Sequence, residues 1–111
     1  MGVRNIEEQA LARKQYEIEI CEMALDHWGI TTQSIKCIEE LAELQVELAK
    51  TVNLDHRKDK FIDEMVDAEL TLLQMKLAYF PTWESLQEYD AHKRDKLHAL
   101  ENRINLDRQK I

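Results

Sequence analysis

Residues 31–52 read Thr-Thr-Gln-Ser-Ile-Lys-Cys-Ile-Glu-Glu-Leu-Ala-Glu-Leu-Gln-Val-Glu-Leu-Ala-Lys-Thr-Val. Within them Ile38, Leu41, Leu44, Leu48 and Val52 recur at steps of three and four, which is the period of an α-helix and not the alternation of a strand. The same period extends outward in both directions. Ile18, Cys21, Leu25 and Trp28 carry it upstream; Ile62, Met65, Val66, Leu70, Leu72, Leu73 and Leu77 carry it downstream. The punctuation agrees. The 111 residues hold 2 Gly and 1 Pro, too few for the turns that a sheet requires.

Those few breakers predict the helix ends. A first helix runs from about Ile6 to Trp28 and stops at Gly29. Thr31 or Thr32 caps a second helix reaching about Val52. Asn53-Leu54-Asp55-His56 reads as a polar turn, and a third helix follows from about Lys58 to Tyr79, with Asp55 or His56 near its start. Pro81 closes it, because proline cannot continue a helix from inside. Thr82 then caps a fourth helix from Trp83 to about Leu106. The expectation is one all-α domain, an antiparallel bundle of about four helices, with the first dozen residues as a helical extension. The second and third helices are apolar over a wide arc that a thin monomer does not cover. The bundle is therefore expected to be completed as a homodimer or homotetramer.

Composition narrows the function classes. The formal net charge is −7, from 22 acids against 15 bases, which disfavours nucleic acid as a partner. No apolar run approaches the ~18 residues of a membrane span. The first residues lack the apolar core of a secretory signal, and Ile6 stands where a myristoylation motif has Ser or Thr. Cys21 and Cys37 lie on apolar helical positions without metal-ligand spacing, so they read as reduced core thiols. A cytoplasmic protein without membrane or nucleic-acid partners is expected. His56, His92 and His98 are scattered over different faces and read as surface or interface residues.

The acids are more informative than their sum. At about 100° per residue Glu40, Glu43 and Glu47 form a narrow stripe, with Lys36 one turn earlier. The third helix repeats the idea, with Glu64 and Asp67 on one face, Lys60 before them and Thr71 after. Like charges at these spacings cost a helix ~0.2–0.5 kcal/mol per pair, so a sequence optimised only for stability would alternate signs. The plain alternative is a solvated acidic face. Two such stripes on consecutive antiparallel helices can instead converge, and converging carboxylates need a cation. Oxygen donors without His or Cys favour Mg²⁺, Mn²⁺ or Ca²⁺. A di-iron bundle would place His at the fourth position of the Glu-x-x-His motif, where this chain has Glu43 and Asp67.

Glu39-Glu40-x-x-Glu43 followed by Glu64-x-x-Asp67 resembles the EExxE…ExxD signature of the all-α nucleoside triphosphate pyrophosphohydrolases, the MazG-like superfamily. The chain looks most like its small single-domain members from phages and prophages. His27-Trp28-Gly29, Ile38-Glu39-Glu40-Leu41-Ala42-Glu43-Leu44, Glu64-Met65-Val66-Asp67-Ala68-Glu69 and the closing Lys96-Leu97…Arg103-Ile104 add to the likeness. The resemblance implies hydrolysis of a (deoxy)nucleoside triphosphate between its α- and β-phosphates, giving the monophosphate and pyrophosphate. It implies Glu40, Glu43, Glu64 and Asp67 as ligands of Mg²⁺, with Mn²⁺ as a substitute. Glu39 joins Glu40 and Glu43 as a candidate catalytic acid; Glu39 and Glu47 would support the ligands or orient the attacking water.

Candidate substrate contacts are Trp28 and Gln33 at the nucleobase; candidate cations for the phosphates are Lys36, Lys50, Lys60 and the run Lys93-Arg94-Asp95-Lys96, of which the resemblance favours Lys93 and Lys96. Core packing is the competing role for Trp28, as is a solvated face for Lys93 and Lys96. Some relatives have an aromatic residue four positions after the ExxD aspartate; here it is Thr71. Glu69 points by its helical angle toward the apolar side. The competing functions are a non-catalytic helical interaction module and a dUTPase-like or phosphoribosyl-ATP pyrophosphohydrolase-like activity.

Overall fold

Local signals place the helix ends in the computed structural model, which describes residues 5–54 and 58–110. The helices are α1 (Ile6–Trp28), α2 (Ile30–Leu54), α3 (Asp59–Tyr79) and α4 (Trp83–Gln109), with no strand among the described residues. The all-helical expectation therefore holds. Asn5 caps α1 by accepting the Glu8 N–H at 2.8 Å. No helix among the described residues is long and apolar enough to cross a membrane.

Gly29 ends α1 as the sequence suggests, but the join is tighter than expected. Its N–H donates to the Leu25 carbonyl at 2.8 Å, and α2 starts at the next residue, Ile30. The Gln33 N–H already bonds to the Gly29 carbonyl at 3.1 Å, so neither Thr31 nor Thr32 acts as a cap. Gly29 has φ 87° and ψ 161°, a backbone state held almost only by glycine. An added Cβ would meet nothing within 4 Å, so the cost of Gly29→Ala is conformational rather than steric. We expect the variant to lose about 1–3 kcal/mol of unfolding free energy in urea titration. An unchanged midpoint would show that this break in the chain is free to relax.

Of the turn expected at residues 53–56, Asn53 and Leu54 are helical instead, because α2 continues through Leu54. Asp55 and His56 lie outside the described residues. Contacts divide the chain into two compact units, Met1–Tyr79 and Phe80–Ile111. In the first, α2 and α3 form the principal pair and α1 packs against both. The pairing is antiparallel: Gln33 of α2 bonds to Gln74 of α3, and Glu47, one stretch further along α2, pairs with Lys60 near the start of α3. In the second unit, Thr82 caps α4 in a reciprocal box with Ser85, and Phe80 packs edge-on against Tyr89 with ring centroids 5.1 Å apart. Lys93, Lys96, His92 and His98 are all exposed on α4.

The interior of the first unit is unusual in composition. Its buried apolar residues are Cys21, Cys37 and Ala68, while Gln33, Glu40, Glu47, Glu64, Thr71 and Gln74 are buried polar ones. The α2–α3 seam is thus lined by polar groups. Ile38, Leu41, Leu48 and Val52 of α2, and Ile62, Met65, Val66 and Leu72 of α3, are exposed. The two cysteines are free and buried, as expected. The Cys21 thiol donates to the Leu70 carbonyl at 3.7 Å, and burial, then the charge of Glu17, pushes its pKa up, so it stays protonated.

A candidate metal centre in the helix seam

The acidic stripes of α2 and α3 turn toward each other. Glu40, Glu47 and Glu64 are 5%, 5% and 7% exposed, respectively. One carboxylate oxygen from each of Glu40, Glu43 and Glu64 lies within 4.8 Å of the others. Glu43 is exposed and forms the open side of this cluster. Asp67, the fourth expected ligand, is exposed and stands outside the close group. It remains near enough for Glu40 and Glu43 to act on its charge.

The partners of these carboxylates are incomplete. Lys36 Nζ lies 3.0 Å from Glu40 Oε1 and 3.9 Å from Glu39. That bond to Glu40 raises the Lys36 pKa and keeps the ammonium charged. Glu40 Oε2 and Glu64 Oε2 are buried without a hydrogen-bond partner. An unsatisfied buried carboxylate oxygen is costly, and it is an open coordination position for a cation. Three carboxylate oxygens, two of them from residues with an unpartnered buried oxygen, could together hold a hard cation.

The clustered carboxylates also act on one another's charge. Desolvation raises the Glu64 pKa, as do a hydrogen bond from its protonated form to Glu43 and the charges of Glu43, Glu40 and Asp67. Asp67 is raised by desolvation and by Glu40, Asp63 and Glu43, against the opposing charge of Lys36. Glu47 behaves oppositely. Burial works to raise it, but Lys50 at 3.2 Å and Lys60 at 3.6 Å hold it below the usual range.

These shifts fix a pH dependence for the metal-free protein. Glu64 and Asp67 bind protons more tightly folded than unfolded, so their contribution is present at low pH and lost as pH rises through their raised values. Glu47 contributes above its unfolded value and loses that contribution as pH falls through its lowered one. In EDTA, the urea midpoint should rise on acidification from about pH 7 toward the upper carboxylate range and fall again below the usual carboxylate values. A midpoint flat across the first interval would show that the cluster carries no excess repulsion.

The expected substrate contacts sort into two places. Trp28, Gln33 and Lys36 line one cavity of about 380 Å³ with Thr32, Ile35 and Glu39. Trp28 is 58% exposed, so it is not packed in a core, and it meets His27 edge-on at 5.0 Å. Gln33 is buried rather than solvated, and its Nε2 donates to Gln74 Oε1 at 2.7 Å. Lys93 and Lys96 belong to the second unit, where both are exposed on α4. Sequence reasoning missed Gln74, whose only signal is its place on the same α3 face as Glu64 and Thr71. Thr71 is buried, and its hydroxyl donates back to the carbonyls of Asp67 at 3.0 Å and Ala68 at 3.1 Å. Glu69 is exposed.

No family profile, curated protein or solved structure matches this chain.

Proposed function

We propose that this chain is a Mg²⁺-dependent nucleoside triphosphate pyrophosphohydrolase of the MazG-like kind, cleaving between the α- and β-phosphates. The observation that carries the reading is the convergence of Glu40, Glu43 and Glu64 within 4.8 Å, with Glu40 Oε2 and Glu64 Oε2 buried and unpartnered. Those three residues, with Asp67 beside them, would hold the cation. A bound Mg²⁺ supplies charge neutralisation for the phosphates and assists ionisation of water.

The chain's own groups supply the rest. The water oxygen bonds to the α-phosphorus, the bridging bond toward the β-phosphate breaks, and pyrophosphate leaves with the electron pair. The water proton passes to a carboxylate. Glu39 suits that role, because it is exposed, borders the Trp28 cavity and is not part of the close triad. Trp28 offers a face for a nucleobase, and Gln33, fixed by Gln74, offers an amide edge beside it.

The exposed apolar faces of α2 and α3 support homo-oligomerisation, since monomers rarely leave such surfaces contiguous and bare. The same faces suit a non-catalytic interaction module, which would bind no divalent cation. The deciding experiment incubates the protein with a panel of ribo- and deoxynucleoside triphosphates and Mg²⁺ and identifies the products. Monophosphate and pyrophosphate from at least one nucleotide are expected. No pyrophosphate from any of them would overturn the reading. Light scattering at micromolar concentration reads the oligomeric state in parallel, and elution at 13.2 kDa would exclude the oligomer.

A further inference from the structure

A second cavity, of about 280 Å³, adjoins the carboxylate cluster on the side away from Trp28. Glu43, Val46, Glu47, Lys50, Lys60 and Glu64 line it. Lys50 comes from α2 and Lys60 from α3, and both ammonium groups converge on one oxygen, Glu47 Oε1, at 3.2 and 3.6 Å. Glu47 is buried, whereas the side chains of Lys50 and Lys60 are 57% and 67% exposed. The carboxylate is therefore a fixed post that gathers two cations at the wall of an open cavity.

We infer that this cavity seats the terminal phosphates of the substrate, so that a nucleoside triphosphate lies along α2 with its base toward Trp28 and its phosphate tail between Lys50 and Lys60. The inference rests on the proposed function and adds the direction of the substrate and the residues that grip its leaving group. Each ammonium has three donors, so a bond to Glu47 leaves others for phosphate oxygens. The cavity sets two ammonium groups against three carboxylates, Glu43, Glu47 and Glu64; with Glu43 and Glu64 engaged on the proposed cation, Lys50 and Lys60 stand against Glu47 alone. The Trp28 cavity is the opposite case. Its one lysine, Lys36, is already paired with both Glu39 and Glu40, which leaves no surplus charge for a polyanion. The cluster of Glu40, Glu43 and Glu64 lies between the two cavities in sequence along α2, since Lys36 and Lys50 are separated by ~21 Å of helix rise. Cleavage there would leave the monophosphate on the Trp28 side and pyrophosphate on the lysine side.

The test is calorimetric titration of the intact protein with sodium pyrophosphate in Mg²⁺, comparing wild type with Lys50→Gln and Lys60→Gln. Each single variant leaves Glu47 one cation and so protects the fold. Loss of a charged hydrogen bond should weaken pyrophosphate binding about tenfold in each, leave nucleoside monophosphate binding unchanged, and be largely restored by Lys60→Arg. A purely structural pairing with Glu47 would weaken both ligands together. Absence of pyrophosphate binding by wild type, equal binding by the variants, or parallel loss of both ligands would each overturn the assignment. A nucleotide panel without pyrophosphate release would instead overturn the proposed function, so the two failures are distinguishable.

Discussion

Glu64→Gln should abolish pyrophosphate release, to below about one-hundredth of wild type, while making the metal-free protein more stable to heat. The two effects have one cause. Glu64 is 7% exposed, faces Glu43 and Glu40, and has one oxygen without a partner. Its negative charge is a liability to the fold unless a cation is present. Gln keeps the shape, removes the charge and can donate its amide to Glu43, so the seam relaxes. The same change removes an anionic ligand, so the cation is lost and with it the turnover. Glu40→Gln should behave alike in activity, but with a smaller gain in stability, because it also strips Lys36 of its 3.0 Å partner. The measurements are a nucleotide assay and thermal denaturation in EDTA by circular dichroism. Full activity in Glu64→Gln would remove that residue from the cation site. A lower melting temperature without metal would show that the carboxylates are held by bonds rather than strained by repulsion.

The second large effect is the response of the wild type to the ion itself. Mg²⁺ at a hundredfold excess over its dissociation constant should stabilise the folded state by ~2.7 kcal/mol, or roughly 10 °C in melting temperature for a chain of this length. The gain should shrink as pH falls, since protons compete for the same carboxylates. Mn²⁺ should substitute. Glu64→Gln should lose most of the shift, which separates specific binding from general screening of a protein with net charge −7. A shift of equal size with sodium chloride at matched ionic strength would reduce the cluster to a screened acidic face.

Both predictions depend on a feature only partly legible in the sequence. The stripe Glu40, Glu43, Glu47 and the pair Glu64, Asp67 follow from helical spacing alone. The fold brings Glu40, Glu43 and Glu64 together across the two helices, sets Asp67 outside that close group and pairs Glu47 with Lys50 and Lys60. Trp28 illustrates the limit. Its place on an apolar helical stripe suggests packing, yet it is exposed at the rim of a cavity. Gln33 illustrates the converse, because an amide near a helix start looks solvated until Gln74 meets it across the seam. Of the candidate phosphate-binding cations, Lys50 and Lys60 are the two that the first unit gathers on one carboxylate, Glu47, which spacing alone does not single out.

Sequence by itself determined the helices and most of their ends. Gly29 must stop α1, because it takes a positive φ of 87°, and Thr82 after Pro81 must start α4, because its hydroxyl caps a free N–H. These are local effects of single residues on their own backbone. The tertiary structure decided which face of each helix is inside. Periodicity says which side chains share a face but not which neighbour covers that face, and the usual assumption that the apolar stripe goes inward fails here. In this chain the polar stripe of Gln33, Glu40 and Glu47 packs against Glu64, Thr71 and Gln74, while Ile38, Leu41, Leu48, Ile62 and Leu72 are exposed and Leu44, Leu70, Leu73 and Leu77 are half-buried. Burial of that kind depends on pairing across some forty residues of chain, as in Gln33 with Gln74, and no local propensity encodes it.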